Sequence, residues 1–406
     1  MKTFRKAIRF ILYTLFVVVL TVNFVILFTG RFYIYKTLAN TVFKGRLSPG
    51  IDEYHIFPNR KVNIGKPIPW PMAADYNKKT ISDSLLEQMK KYQTIAYVIV
   101  KNDSLRYEQY WDGYSDTSHT NSFSMGKSIT SILCGIAIAE GKIKSVDEHV
   151  SDFLPEYKKG MDSLLTIKDL LEMGSGINFG ESYISPFSYP AEAYYSNDIM
   201  KYTLKYKVDS MPGQKFKYLS GNTTLLGYCV SKAVGMSLSD YASEKLWQPI
   251  GAEQPAYWSI DHEGGLEKAY CCFNSNARDF AKIGELYLNL GSVYRYDSYM
   301  DSTGTHQTVS CRGIVPRDWV VASTTPKLCA YYGYQWWIIN FEGHIIPYCR
   351  GLQGQYIFVI PEQRMVVVRL GAKRGPVVME QIDGKEYNIP SDALIYLRAA
   401  FQMYGK

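Results

Sequence analysis

The sequence has no block of like charge, no Cys-x-x-Cys pair, no His and Cys cluster at metal-ligand spacing and no internal repeat. The first absence removes the electrostatic footprint of a nucleic-acid surface. A net charge of +7 over 406 residues does not restore it, because several of those charges flank one N-terminal apolar segment. The missing Cys and His patterns remove zinc-site and thioredoxin-like readings, and the missing repeat removes solenoids and propellers. The six histidines are scattered and no Gly-x-Ser-x-Gly occurs, so neither a nucleophile elbow nor a Ser-His-Asp triad has local support. Glycine and proline are not in excess, while 47% of residues are hydrophobic and 20% charged, which excludes a mostly disordered chain.

What is present begins at the N-terminus. Lys2, Arg5, Lys6 and Arg9 precede an apolar run from Phe10 to Thr29, whose only strongly polar interruption is Asn23. About 20 apolar residues at ~1.5 Å rise cross a hydrocarbon core of about 30 Å. The run ends in Phe28-Thr29-Gly30-Arg31-Phe32-Tyr33, without the small-residue pattern of a cleavage site. Residues 1–30 therefore read as an uncleaved membrane anchor. The four basic residues place the N-terminus in the cytoplasm and the rest of the chain on the outer side. Residues 31–80 read as an irregular juxtamembrane connector with the patch Pro67-Ile68-Pro69-Trp70-Pro71. An exported chain can oxidise its thiols. Cys271-Cys272 with Cys311, or Cys329 with Cys349, are possible bridges, while Cys134 and Cys229 sit in apolar helical patterns as small buried hydrophobes.

Residues 81–406 read as one α+β domain. Apolar positions Leu85, Leu86, Met89 and Tyr92 suggest a helix, followed by strands Ile95–Val100 and Leu105–Trp111 across an Asn102-Asp103-Ser104 turn. Ile129, Ile132, Leu133, Ile136 and Ala137 recur at helical spacing, with further helices over Ile167–Met173, Leu225–Val234, Leu238–Trp247 and Arg278–Leu290. Strands return at Tyr334–Asn340, His344–Tyr348, Tyr356–Ile360 and Met365–Leu370, and a helix over Asp392–Met403 closes the chain. Strands at both ends with helices between predict one antiparallel sheet built from both ends of the domain, with an inserted helical subdomain.

The stretch Ser122-Phe123-Ser124-Met125-Gly126-Lys127-Ser128 opens the first of the middle helices. Positions i and i+3 share a helix face, so Ser124 and Lys127 bring a hydroxyl and an amine within reach of each other. A serine needs an adjacent base to become a useful nucleophile. A lysine serves as one only when neutral, and both burial and the positive end of a helix disfavour its charged form. Gly126-Lys127-Ser128 also mimics the end of a phosphate-binding loop, but that loop requires glycine where Asn121 stands. Ser-x-x-Lys alone is a common chance pattern.

A second stretch narrows the reading. Met211-Pro212-Gly213-Gln214-Lys215-Phe216-Lys217-Tyr218-Leu219-Ser220-Gly221-Asn222 leads into Leu225-Leu226-Gly227. Together with Ser124-Met125-Gly126-Lys127, this resembles the serine β-lactamase and penicillin-binding-protein superfamily, in particular its class C branch and related esterases. There the second motif reads Tyr-x-Asn after a Pro-Gly turn. Tyr218 takes the tyrosine position, and Ser220 stands where asparagine is usual. The third motif, a strand-edge Lys-Thr-Gly or His-x-Gly, is matched loosely by Leu352-Gln353-Gly354 with Arg350 just upstream. On that alignment Gly354 edges the site and the Gln355 backbone N–H serves the oxyanion, while Ser220 contacts substrate or Lys127.

The resemblance covers roughly Ile95 to Leu370. It implies a β-lactamase/transpeptidase-like fold and hydrolysis of an ester or amide by attack of Ser124, with Lys127 as base and Tyr218 as proton relay. It implies no cofactor and no metal. The implied partner is a small-molecule ester or amide, or a cell-wall-derived substrate. A cell-wall D,D-peptidase is a substrate variant of this reading, and a catalytically silent membrane-tethered binding protein of the same fold is its rival. The irregular, aromatic or polar segments Tyr183–Tyr195 and Tyr294–Arg312 are candidates for shaping the pocket.

Overall fold

The computed structural model describes residues 2–183, 185–301 and 304–405. Its centre is a six-stranded antiparallel sheet. In spatial order the strands are Ser104–Tyr110, Thr94–Lys101, Met365–Gly371, Gln355–Ile360, His344–Gly351 and Trp337–Phe341. The early hairpin joins the late strands through the ladder Val98↔Val368 and Val100↔Val366, as the strands at both ends of the domain predict. Asn102 and Asp103 both have positive φ (52° and 58°), the geometry of a tight hairpin turn that Asn and Asp tolerate. Ser104, expected in that turn, already belongs to the second strand.

Both faces of the sheet are covered, which is why its strands read as continuous β-branched runs. Alternate residues go to opposite sides. Val98, Val100, Ile357, Val359, Val366 and Val368 face one core, where helices Met125–Ala139 and Ala277–Leu288 pack. Tyr97, Ile99, Phe358, Ile360, Met365 and Val367 face the other, under Asp83–Lys91 and Ala393–Tyr404. The helical region lies between the early hairpin and the late strands.

A second, four-stranded sheet runs in the order Asn59–Val62, Ala256–Ser259, Phe273–Ser275 and Thr120–Asn121. Its first strand comes from the segment read as a connector. That segment also forms a helix over Tyr33–Asn40 and buries Ile51, Phe57, Val62 and Trp70 in the main core. Residues 31–80 are therefore part of the folded body: the patch of prolines hides an apolar set that no short-range period reveals. Tyr294–Arg312, read as irregular, lies in a hairpin of Ser292–Asp301 and Gly304–Gly313; its residues 302 and 303 are outside the described residues, as is Ile184 of the Tyr183–Tyr195 segment. A further hairpin, Val377–Ile382 with Lys385–Pro390, has no counterpart in the sequence reading. Cysteine pairing also differs from expectation. Cys271 bonds to its neighbour Cys272, and Cys311, Cys329 and Cys349 are free.

The N-terminal helix runs from Lys2 to Thr29 and is exposed along almost its whole length. Ile26 in its last turns is the exception, fully buried against the body.

Candidate active site

The short strand Thr120–Asn121 delivers the chain to Ser124. Ser122 N–H donates to the Phe273 carbonyl (3.1 Å), which ties the approach to the four-stranded sheet. Phe123 then adopts φ +44°, a costly conformation for a bulky residue. Its N–H is held by the Asn121 side chain at 2.8 Å. The kink leaves Ser124 half-buried at the start of helix Met125–Ala139, between fully buried neighbours. Gly126 allows a close approach: a Cβ there would stand 3.2 Å from the Cys271 backbone. The hydroxyls on this helix anchor it, with Ser128 donating to the Gln335 carbonyl (2.7 Å), Thr130 to Ala269 (2.8 Å) and Ser131 to Tyr334 (2.8 Å).

Lys127 is buried, with 1% of its surface exposed. Its Nζ lies 3.1 Å from Ser124 Oγ, 3.3 Å from Ser220 Oγ and 3.0 Å from the Tyr270 carbonyl oxygen. All three partners are neutral. Burial draws its pKa down to about 7, opposed in part by the charge of Glu181. Tyr218 completes the cluster. Its ring centroid lies 5.1 Å from Lys127 Nζ, and its hydroxyl is turned towards the Ser124 hydroxyl, which favours its ionised form. Burial raises its pKa to about 12, against the lowering effect of the Ser124 hydroxyl. Trp337 at 5.0 Å and Tyr332 at 5.9 Å between ring centroids fix the Tyr218 ring.

Ser220 opens the helix Ser220–Val234, five residues earlier than the apolar period suggests. The residue before it, Leu219, has no capping side chain. Glu181 supplies one from a distant loop. Its carboxylate accepts from the Ser220 N–H (2.9 Å) and from Ser220 Oγ (2.6 Å). A carboxylate at a helix N-terminus is stabilised by the helix dipole. Tyr183 OH donates to the same carboxylate at 2.7 Å. A hydrogen-bonded chain thus runs from Lys127 through Ser220 to Glu181. Sequence reasoning did not single out Glu181 or Tyr270, because neither stands at a fixed spacing from Ser124 or Tyr218.

The third motif is placed differently from the expectation. Gly354 has φ +85° and turns its carbonyl to the buried guanidinium of Arg369 (2.6 Å). Gln355 is fully buried, with its side chain bound to the Gly371 backbone. The strand edge nearest Ser124 is three residues earlier. A Cβ on Gly351 would fall 2.3 Å from the Ser122 carbonyl oxygen, and Leu352 lines a cavity together with Ser124. The paired glycines of Gly351-Leu352-Gln353-Gly354 made the frame ambiguous in sequence, and strand register resolves it.

That cavity measures about 170 Å³ and opens beside Ser124. Tyr183, Ser185, Pro186, Ala191, Tyr194 and Tyr195 line it, so the Tyr183–Tyr195 segment is brought to the site. Of the Tyr294–Arg312 segment, Tyr294, Arg295 and residues 308–312 do not line it. The opposite wall comes from Thr37, Leu38, Thr41, Val42, Leu47 and Pro49, just beyond the N-terminal helix.

An antiparallel sheet covered by helices on both faces, with a serine and a buried lysine at the start of the central helix, defines a β-lactamase/transpeptidase-like fold. The Beta-lactamase family profile matches residues 83–387, and the chain belongs to that family. Its relatives with named activities are hydrolases. A 6-aminohexanoate-dimer hydrolase of Paenarthrobacter ureafaciens is 23% identical over 312 residues, covering 72% of this chain and 76% of that protein. A candidate 6-aminohexanoate-dimer hydrolase from Bacillus anthracis superposes with a TM-score of 0.68 at 21% identity, covering 86% of this chain and 90% of that one. A family VIII carboxylesterase gives 0.56 at 14% identity, covering 85% and 100%. At these identities the solved structures speak for the fold.

Proposed function

We propose that this chain is a membrane-anchored serine hydrolase that cleaves an ester or amide through an acyl-enzyme on Ser124. One observation carries the reading: Lys127 Nζ stands 3.1 Å from Ser124 Oγ, surrounded by neutral partners and held near pKa 7 by burial. A neutral amine at that distance is within reach of the hydroxyl proton. In the first step Ser124 Oγ bonds to the substrate carbonyl carbon, and the hydroxyl proton passes to Lys127 Nζ. The carbonyl oxygen becomes an oxyanion, facing the N–H of Ser124 at the helix start and the N–H of Leu352 at the strand edge. Leu352 takes the role that the sequence alignment assigned to Gln355. The bond to the leaving group then breaks, and the Tyr218 hydroxyl hands the leaving oxygen or nitrogen a proton, replenished from Lys127. Water repeats the sequence in reverse, giving the free acid and restoring Ser124.

The same reading makes residues 1–30 the anchor, with the N-terminus in the cytoplasm and the hydrolase body outside. The body takes in the former connector. The test is intact-mass spectrometry of the full-length protein after exposure to a fluorophosphonate. One adduct in the parent and none in Ser124→Ala is the expected result. No adduct in either would favour the silent binder.

A further inference from the structure

We infer that the acyl group taken up by Ser124 is a hydrocarbon chain delivered from the bilayer, carried by a neutral amphiphilic ester or amide. This rests on the reading of Ser124 as nucleophile and adds its substrate class.

Three observations converge on it. First, among the described residues no Asp, Glu, Lys or Arg lines the cavity beside Ser124. Lys127 and Glu181 stand behind the Ser124 and Ser220 hydroxyls at one end; beyond that end a substrate carboxylate or ammonium would be buried without an ionic partner, which is costly, whereas a methylene chain gains by burial. Second, the cavity wall is made by the first helix beyond the membrane segment, through Thr37, Leu38, Thr41 and Val42. The end of the membrane helix is fixed against the body by fully buried Ile26. Arg31 lies 5.5 Å from the ring of Phe187, whose loop forms the facing wall, and Lys36 Nζ donates to Asn197 at 3.0 Å. The cavity is thereby held within a short helix of the point where the chain leaves the bilayer. Third, large apolar side chains crowd the same end of the molecule in the open. Phe28, Phe32, Phe43 and Leu47 are 58–85% exposed, and Leu47 also lines the cavity. Such residues sit favourably at a membrane interface and poorly in water. A chain passing from the leaflet to Ser124 would meet apolar surface on its way.

The experiment uses the full-length protein in phosphatidylcholine vesicles, with 4-nitrophenyl acetate, butyrate and octanoate as substrates. Each methylene buried adds up to about fourfold in kcat/KM, from ~0.8 kcal/mol per CH₂ at ~1.4 kcal/mol per tenfold. We expect octanoate to exceed butyrate by about tenfold or more. Leu38→Glu should collapse the octanoate-to-acetate ratio, and Val42→Trp should move the optimum to a shorter chain. The ratio is read within each variant, so loss of folded protein cancels. A flat chain-length profile in a parent that still takes the fluorophosphonate on Ser124 overturns this inference alone. So does an octanoate preference that neither variant alters. No adduct on Ser124 overturns the hydrolase reading and the inference with it. For the bilayer source, 4-methylumbelliferyl palmitate is placed either in the vesicles that carry the protein or in separate ones. Faster turnover in the shared vesicles is expected, and equal rates overturn delivery from the membrane.

Discussion

Lys127 faces two hydroxyls and a carbonyl with no anion in contact, and that choice of neighbours governs its chemistry. With a pKa near 7, the neutral, proton-accepting form grows in as pH rises through that value. Ester hydrolysis should therefore show a kcat/KM limb with its midpoint near 7 and a plateau above, since Tyr218 at about 12 stays protonated. Glu181 raises the lysine's pKa, so Glu181→Gln should move the limb to lower pH; an unmoved limb would remove Glu181 from the electrostatics of the site. Burial of this lysine also has a stability signature. An unfolded lysine titrates near about 10.4, so between about 7 and 10 the unfolded chain binds more protons than the native one, and stability rises with pH across that window. Lys127→Met should abolish hydrolysis yet flatten this rise, its stability relative to the parent being greatest at pH 6 and falling towards pH 10 in thermal melts. Tyr218→Phe, which keeps the ring contacts and loses the relay, should lower kcat by about 10² or more at unchanged folding.

Elements, rather than single residues, decide where the proposed oxyanion donor stands. The strand His344–Gly351 ends against Ser122, and the turn that follows is clamped by Arg369, a fully buried arginine. Arg369 donates to the carbonyls of Gln353 (2.8 Å) and Gly354 (2.6 Å), reaches Lys373 O at 3.1 Å and stacks 5.0 Å from Tyr396. Removing it leaves several buried carbonyls unpartnered, each costing about 1–3 kcal/mol. Arg369→Met should therefore lose roughly 3 kcal/mol or more of stability, read from thermal or denaturant unfolding; a loss under about 1 kcal/mol would show that water or neighbouring groups replace it. Gly351→Ala tests the same junction differently. Its methyl would collide with the Ser122 carbonyl, so the strand and the nucleophile loop must part, and activity should fall further than stability does.

At the scale of the whole molecule, the long N-terminal helix, the helix Tyr33–Asn40 and the folded body form one continuous structure through Ile26, Tyr33 and Ile34. The basic cluster Lys2, Arg5, Lys6 and Arg9 favours retention of the N-terminus in the cytoplasm. A C-terminal alkaline phosphatase fusion should accordingly be active and a fluorescent-protein fusion dark; the reverse pattern would place the body inside. The uncharged cavity has a consequence for drug-like substrates too. Fluorescent penicillin, which carries a carboxylate, should label Ser124 far more slowly than an uncharged activated ester, and equal rates would argue for a cell-wall peptidase.

The sequence by itself determined the membrane-length helix, the antiparallel sheet joining early and late strands, and the pairing of Ser124 with Lys127, while Tyr218 joined them only through the family resemblance. These are written in apolar period, turn chemistry and short fixed spacings, all of which are local. Ser124 and Lys127 meet because a helix places i and i+3 on one face, and no tertiary contact is needed to know it. Tertiary structure alone decided the rest. It chose Gly351 over Gly354 at the strand edge, because register depends on what the strand packs against. It brought Glu181 to the start of the Ser220 helix from a loop with no fixed spacing to it. It also folded residues 31–80 into the body and against the cavity, because their apolar residues follow no helix or strand period and find partners only across the chain.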